Sequence, residues 1–484
     1  MGAVRPYPAM KDSGAVWLGE VPEHWEVRPI RGVGRIFKGK GGSKADEAPT
    51  GVPCVRYGDL YTRHEFFIRG TRAYLSESEA AGYTVIRYGD VLFAASGETV
   101  EDIGKSAVNL LSKDSRCGGD VLVLRPKVRV VPEYLGYAAD APSSRRQKAC
   151  MGRGFTVVHL YGGQLKALVI PLPTIPEQVA IVRFLDHVHR RIRRYIRAKQ
   201  EMIKLLEEQK QAIIHRAVTD GLDPDLPLKP SGVGWLGDVP EHWSVASLRF
   251  RYEQCLGKMV DAKRATRTRL LPYLRNVDVQ WDQINTDDLP RIDIGEQEQE
   301  RFTLRHGDLL VCEGRHLGRA AIWRGELAVC AFQKALHRLR AKDARADVPR
   351  FLYYCLFAVH YKDAFGASSS DNSIPHLTGV MLRAFKFPFP PHSEQHAIAA
   401  YLDSSCASID RATNGLANEV VAMREYRTRL ISDVVTGKLD VREAAANLPD
   451  EQDDLELEGG AGAGVDDSSD QADQHDTVLE EADA

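Results

Sequence analysis

No two of the eight cysteines in this 484-residue chain stand as a CxxC pair. That argues against a zinc ribbon or a disulfide framework, and it suits a reducing compartment. No run approaches the ~18 apolar residues of a membrane span. The opening residues, MGAVRPYPAMKDSG, lack the apolar core of a secretory leader. A cytoplasmic protein with no membrane segment is therefore expected. Basic residues are missing from Pro449 onward, where 14 acids stand with no Lys or Arg. The whole chain carries −3, but residues 1–448 hold 53 acids against 64 bases, a net +11. A basic body suits a polyanionic partner. The acidic, Gly/Ser-rich end (441–484) reads as a disordered extension.

Enzyme signatures are also missing. TVEDIGKSA ends like a phosphate-binding loop, yet Thr99 stands where the first Gly of GxxxxGK[ST] must curl its amides round phosphate. GKGGSK does not fit GxGxxG. No Asn/Asp-Pro-Pro-aromatic motif of DNA-amine methyltransferases is present, and no His/Cys/Asp cluster has metal-ligand spacing. His24 and His242 sit between Glu and Trp in a repeated segment and read as packing residues, not catalysts.

What the chain does contain is itself, twice. WLGEVPEHW (Trp17–Trp25) returns as WLGDVPEHW (Trp235–Trp243). RYGDVLF returns as RHGDLLV, PEYLGY as PRFLYY, HLYGGQLKALVIPLP as HLTGVMLRAFKFPFP, EQVAIVRFLD as EQHAIAAYLD, and VTDGLD as VTGKLD. The offset stays between 217 and 219 throughout. Between these constant pieces the copies diverge. GKGGSKADEAPTG faces GKMVDAKRATRTR, VRYGDLYTRHEFF faces LRNVDVQWDQIN, and AASGETVEDIGKSAV faces CEGRHLGRAAI. AVNLL, DVLVLRP, LKALVIPLP and AFKFPFP read as strands, and EYLGYAAD and RFLYYCLFAVHYKDAF as helices.

Each copy ends in a long amphipathic stretch. The first stripe runs Ile181, Leu185, Val188, Ile192, Tyr195, Lys199, Met202, Leu206, Gln209, Ile213, and the second repeats it from Ile398 to Leu430. Alternating steps of four and three are a heptad, which demands a partner helix. Thr174-x-x-Glu177 with Pro176 marks the first start, and Gly221 and Gly437 lie just past the ends. Each stretch is the other's equivalent, so mutual antiparallel pairing is expected. The predicted fold is mixed α/β: two similar α/β domains separated by a long antiparallel two-helix coiled coil, with a pseudo-twofold internal duplication. The segments are 1–170, 171–230 (helix and linker), 231–387, 388–440 (helix) and 441–484.

The twice-used WLGxVPEHW, the RxGD turn before a strand and the PxP…EQxxIxxxLD start of each long helix resemble the specificity subunit of type I restriction-modification systems. The resemblance covers essentially residues 13–440. It implies two target recognition domains, each reading one half of a split, asymmetric site in double-stranded DNA. It also implies helices that dock two modification (methyltransferase) subunits, with restriction (translocase/nuclease) subunits as further partners. The chain itself would catalyse nothing and hold no cofactor or metal; S-adenosylmethionine, ATP and Mg²⁺ would belong to the partners. A coiled-coil scaffold holding RNA or protein is the alternative, disfavoured by loop pairs this different.

Bases are read by Arg, Lys, Asn, Gln and small polar side chains, and phosphates are held mainly by Lys and Arg. In the first domain the DNA-binding candidates are Lys38, Lys40, Lys44, Arg56 and Arg153. In the second they are Lys258, Lys263, Arg264, Arg267, Arg275, Asn276, Arg315, Arg319 and Asn372. RRIRRYIR (Arg190–Arg197) is a basic run that the second helix lacks.

Overall fold

The computed structural model describes residues 4–42, 46–154, 156–259, 269–314, 317–365 and 376–449. The tail from Asp450, and the candidates Lys44, Lys263, Arg264, Arg267, Arg315 and Asn372, lie outside them. The chain divides into two compact units, residues 1–197 with 420–484, and residues 198–419.

In the first unit β1 (Gly34–Lys38), β2 (Phe67–Ile68), β3 (Val91–Ala94), β4 (Ser106–Asn109) and β5 (Val121–Pro126) form a sheet ordered β1-β5-β3-β4-β2. Neighbours are antiparallel except β4 and β2. Side chains alternate across a strand, and here both faces are buried. Val91, Phe93, Leu122 and Leu124 enter one core with the helices α1 (Pro132–Asp140) and α2 (Pro142–Met151). Leu92, Ala94, Val121 and Val123 enter a second core with Val55, Leu60 and Cys117. Hence DVLVL reads as a continuous apolar run. The long helix α3 (Ile175–Thr219) follows.

The second unit repeats the plan. β6 (Tyr252–Leu256), β7 (Leu309–Cys312), β8 (Ala320–Ile322) and β9 (Leu336–Ala341) form an antiparallel sheet ordered β6-β9-β7-β8. Leu309, Val311 and Leu339 face the core built on α4 (Pro349–Tyr361). Leu310, Cys312 and Leu336 face the other. The second long helix, α5 (His392–Val435), is followed by the short α6 (Arg442–Ala446).

The long helices pack together. In the first unit Ile181, Leu185, Val188, Ile192 and Ile196 of α3 share a core with Val420, Leu430, Ile431 and Val434 of α5. In the second unit Ile214, Ala217 and Val218 of α3 meet Ile398, Leu402 and Cys406 of α5. Within that unit Lys199 pairs with Glu419, and Lys210 with Asp410 at 2.6 Å. The α3 number rises as the α5 number falls, so the pairing is antiparallel. The seam departs from the expected stripe in one respect. Tyr195, Met202 and Tyr426 stand more than half exposed, while Ile196 and Val420 are buried. An α-helix drifts ~20° per heptad against a strict 3.5-residue repeat. After Ile192 the contact line steps four residues instead of three, which absorbs that drift.

Candidate nucleic-acid interface

The repeated motifs build a frame. Glu177, in the first turn of α3, accepts Trp25 Nε1 at 3.3 Å and Thr174 Oγ1 at 2.8 Å, and lies 2.8 Å from His24 Nε2. Glu394, in the first turn of α5, accepts Trp243 Nε1 at 2.9 Å and lies 2.8 Å from His242 Nε2. Burial pushes the Glu177 carboxyl up, but the hydrogen bonds from His24, Thr174 and Trp25 outweigh it and hold it below its ordinary value. The adjacent glutamines pin the backbone before α1 and α4. Gln178 accepts Val131 N–H at 2.8 Å, and Gln395 accepts Val348 N–H at 2.9 Å. The helix aspartates accept tyrosine hydroxyls, Tyr137 to Asp186 and Tyr354 to Asp403, each at 2.6 Å. In RxGD the aspartate closes its own turn and holds an arginine on the strand that pairs with the one it precedes. Asp90 accepts Arg87 N–H and pairs with Arg125 at 2.7 Å; Asp308 accepts Arg305 N–H and pairs with Arg340 at 2.6 Å.

Arg56 and Arg275 extend the frame in a way the sequence left hidden. Each stands three residues before an aspartate that accepts its backbone N–H, Asp59 at 3.3 Å and Asp278 at 2.7 Å. The loops are the same capped turn, with Tyr57-Gly58 in one and Asn276-Val277 in the other. Tyr57 and Val277 are exposed at these turns.

The remaining candidates divide. Lys38 ends β1 and Lys40 follows it, both exposed; the Lys40 backbone is tied to Thr84 at 2.8 Å. Arg56 lies 2.9 Å from Glu47 and lines a cleft of about 720 Å³ with Arg63, Arg72, Gly42 and Asp120. Arg63 and Arg72 stand in no sequence motif; only the fold sets them beside Arg56. Arg153 is exposed, in an isolated bridge with His159, and outside that cleft. In the second unit Lys258 donates to Glu298 at 2.5 Å and to the Asp293 carbonyl at 2.8 Å. Arg275 pairs with Asp278 at 2.8 Å. Arg319 is buried, donating to Gln280 at 3.0 Å and to the Asn276 carbonyl at 2.9 Å. Its guanidinium thus fixes the turn that carries Asn276, whose own amide reaches the Gly314 carbonyl at 3.5 Å.

The Gly-Lys-Ser of EDIGKSA is interior structure. Lys105, Lys148 and Arg145 surround the buried Asp140 at 2.7, 3.0 and 2.7 Å. Burial, only partly offset by Asp140, pushes Lys148 down to about 8. Lys105 is spent on this cluster, consistent with the missing glycine at Thr99. Among the described residues no group of three His, Cys, Asp or Glu could hold a metal, and no helix is long and apolar enough to cross a membrane.

The type I restriction modification DNA specificity domain matches residues 22–204 and 271–421, once in each copy. The chain belongs to the type I restriction-modification specificity family. It is 22% identical over 439 residues to the putative MjaX specificity subunit of Methanocaldococcus jannaschii, covering 88% of this chain and 96% of that one. It is 19% identical over 446 residues to the EcoKI specificity subunit of Escherichia coli K12, covering 89% and 92%. A solved chain described under "Structural basis underlying complex assembly and conformational transition of the type I R-M system" is similar with a TM-score of 0.66 at 19% identity, over 87% of this chain and 99% of that one. The chain is thus a DNA specificity subunit. The family carries no cofactor itself, and catalysis resides in partner subunits.

Proposed function

We propose that each unit reads one half of a split, asymmetric site in double-stranded DNA, and that the long helices dock two modification subunits in a cytoplasmic complex. Restriction subunits complete that complex, and S-adenosylmethionine, ATP and Mg²⁺ act in the partners. The observation that carries this reading is the twice-built capped turn. Asp59 and Asp278 each accept the backbone N–H of the arginine three residues before them, while the residues between differ and Tyr57 and Val277 are exposed. A fixed frame with exchanged surface residues is what two readers of different sequences need. Lys38, Lys40 and Arg153 are assigned to phosphate contacts in the first half, and the loop carrying Lys263, Arg264 and Arg267 to the second, with Lys44, Arg315 and Asn372 in the same set.

The test is methylome sequencing of a methyl-free host that expresses the neighbouring methyltransferase with and without this chain. Methylation at one split motif, present only with the chain, is expected. Exchanging residues 13–170 for a relative's should change one half of that motif alone. An assembled complex that methylates the same sites without this chain would overturn the reading.

A further inference from the structure

A pocket of about 390 Å³ opens in the first unit between the Arg63–Thr71 segment and α3. Four guanidiniums line it, from Arg63, Arg69, Arg190 and Arg193. Two buried imidazoles join them, His64 at 9% and His189 at 7% exposure. The Nε2 atoms of both meet no hydrogen-bond partner among the described residues. The two carboxylates in the wall are engaged: Glu65 with Arg427 at 2.5 Å, and Asp186 with the Tyr137 hydroxyl at 2.6 Å. Phe66, stacked on His189 at 5.9 Å, and Phe67, under Arg69 at 4.8 Å, give an aromatic side.

The duplicated frame supplies a control. The second unit keeps the tyrosine–aspartate pair, Tyr354 and Asp403. Where α3 has His189, Arg190 and Arg193, α5 has Cys406, Ala407 and Asp410, and Asp410 is paired with Lys210. In the second unit the frame therefore stands without these basic side chains.

We propose that this pocket is a binding site for the phosphate group of a free nucleotide. Guanidinium forks match phosphate oxygens bidentately. The imidazoles extend the match. The Tyr137 proton goes to Asp186 at 2.6 Å, so His189 Nδ1, 3.2 Å from the same hydroxyl oxygen, carries its own proton outward to it. Nε2 is then the bare, buried atom of a ring that lines the pocket. Burial, with Arg427 and Arg193, pushes His189 down to about 3; burial pushes His64 down to about 4. A phosphate offsets the arginine charge and lets Nε2 take a proton and donate it. The site does not depend on the half-site reading, since its probe is inorganic pyrophosphate.

The experiment is calorimetric titration of the full chain with pyrophosphate at fixed ionic strength, with ¹⁵N NMR of the histidines alongside. Binding is expected, with the His189 midpoint moving up. The triple exchange His189→Cys, Arg190→Ala, Arg193→Asp, which copies residues the second unit already accommodates, should weaken binding about tenfold or more. Should that variant fail to fold by circular dichroism, Arg69→Ala at the exposed rim should still weaken it about threefold. Displacement of pyrophosphate by ADP but not by random-sequence duplex supports the proposal, and displacement by the duplex assigns the pocket to DNA contact and overturns it. No binding to the wild-type chain, or affinity unchanged in the folded variants, overturns the proposal.

Discussion

Single side chains carry an unequal share of this molecule. Glu177 receives an indole, a hydroxyl and an imidazole at one buried carboxylate. Glu177→Ala should therefore cost about 2–3 kcal/mol, since buried donors would be left unmatched. Glu20→Ala, on an exposed residue, should stay within about 0.5 kcal/mol. Urea midpoints of the two variants check this. The buried histidines set an acid limit. A histidine whose folded pKa lies below its unfolded value binds its proton more readily in the unfolded chain, so stability is full above pH 6.5 and falls as pH drops. With values pushed down to about 4 for His64 and about 3 for His189, the loss between pH 7 and pH 5 should be about 2 kcal/mol for each. His189→Gln should remove its share, measured as a flatter dependence of the urea midpoint on pH. These groups were visible in the sequence only as ordinary polar letters.

Among the elements, the C-terminal end of α5 behaves differently from its middle. Gly437 holds φ +74° past the last turn. Its N–H bonds back to the Val434 carbonyl and the Lys438 N–H to the Asp433 carbonyl, closing the helix. A Cβ there would come 2.2 Å from Pro22 Cδ. Gly437→Ala should cost about 2–3 kcal/mol through strain and collision. Gly415, within α5, meets nothing within 4 Å of an added Cβ. Gly415→Ala should stabilise by about 0.5–1 kcal/mol. Thermal unfolding of the pair separates the two effects. Both helices and the glycine that ends each were legible in the spacing. The seam's shift at Tyr195 was not, because a stripe of letters does not record how a helix drifts round its partner.

For the whole chain, sequence order and folding unit part company. The first unit is completed by residues from position 420 onward, and Ile431, Val434 and Val435 share its core with Trp25 and Ile181. The Arg183 guanidinium donates to the Leu448 carbonyl at 2.9 Å. Ending the chain at 419 should therefore unfold residues 1–197, although none of them is removed. Ending it at 449 should leave the methylation motif unchanged. Limited proteolysis of the first truncation and methylome sequencing with the second test the two statements. A first domain that resists protease without residues 420–449 would contradict the shared core.

The sequence alone determined the duplication, the alternation of constant frame and exchanged loops, and the two pairing helices. Each of these is local periodicity or repeated lettering, and both survive without coordinates. Tertiary structure decided what the repeated letters touch. WLGxVPEHW serves as the socket for a glutamate about 152 residues further on, and for the glycine that ends the other long helix, Gly437 against Trp25 and Gly221 against Trp243. It likewise brought Arg63 and Arg72 beside Arg56, and gathered the arginines round His64 and His189. Such meetings depend on how distant segments pack. Repetition shows that a residue is kept in both copies, and packing alone chooses its partner.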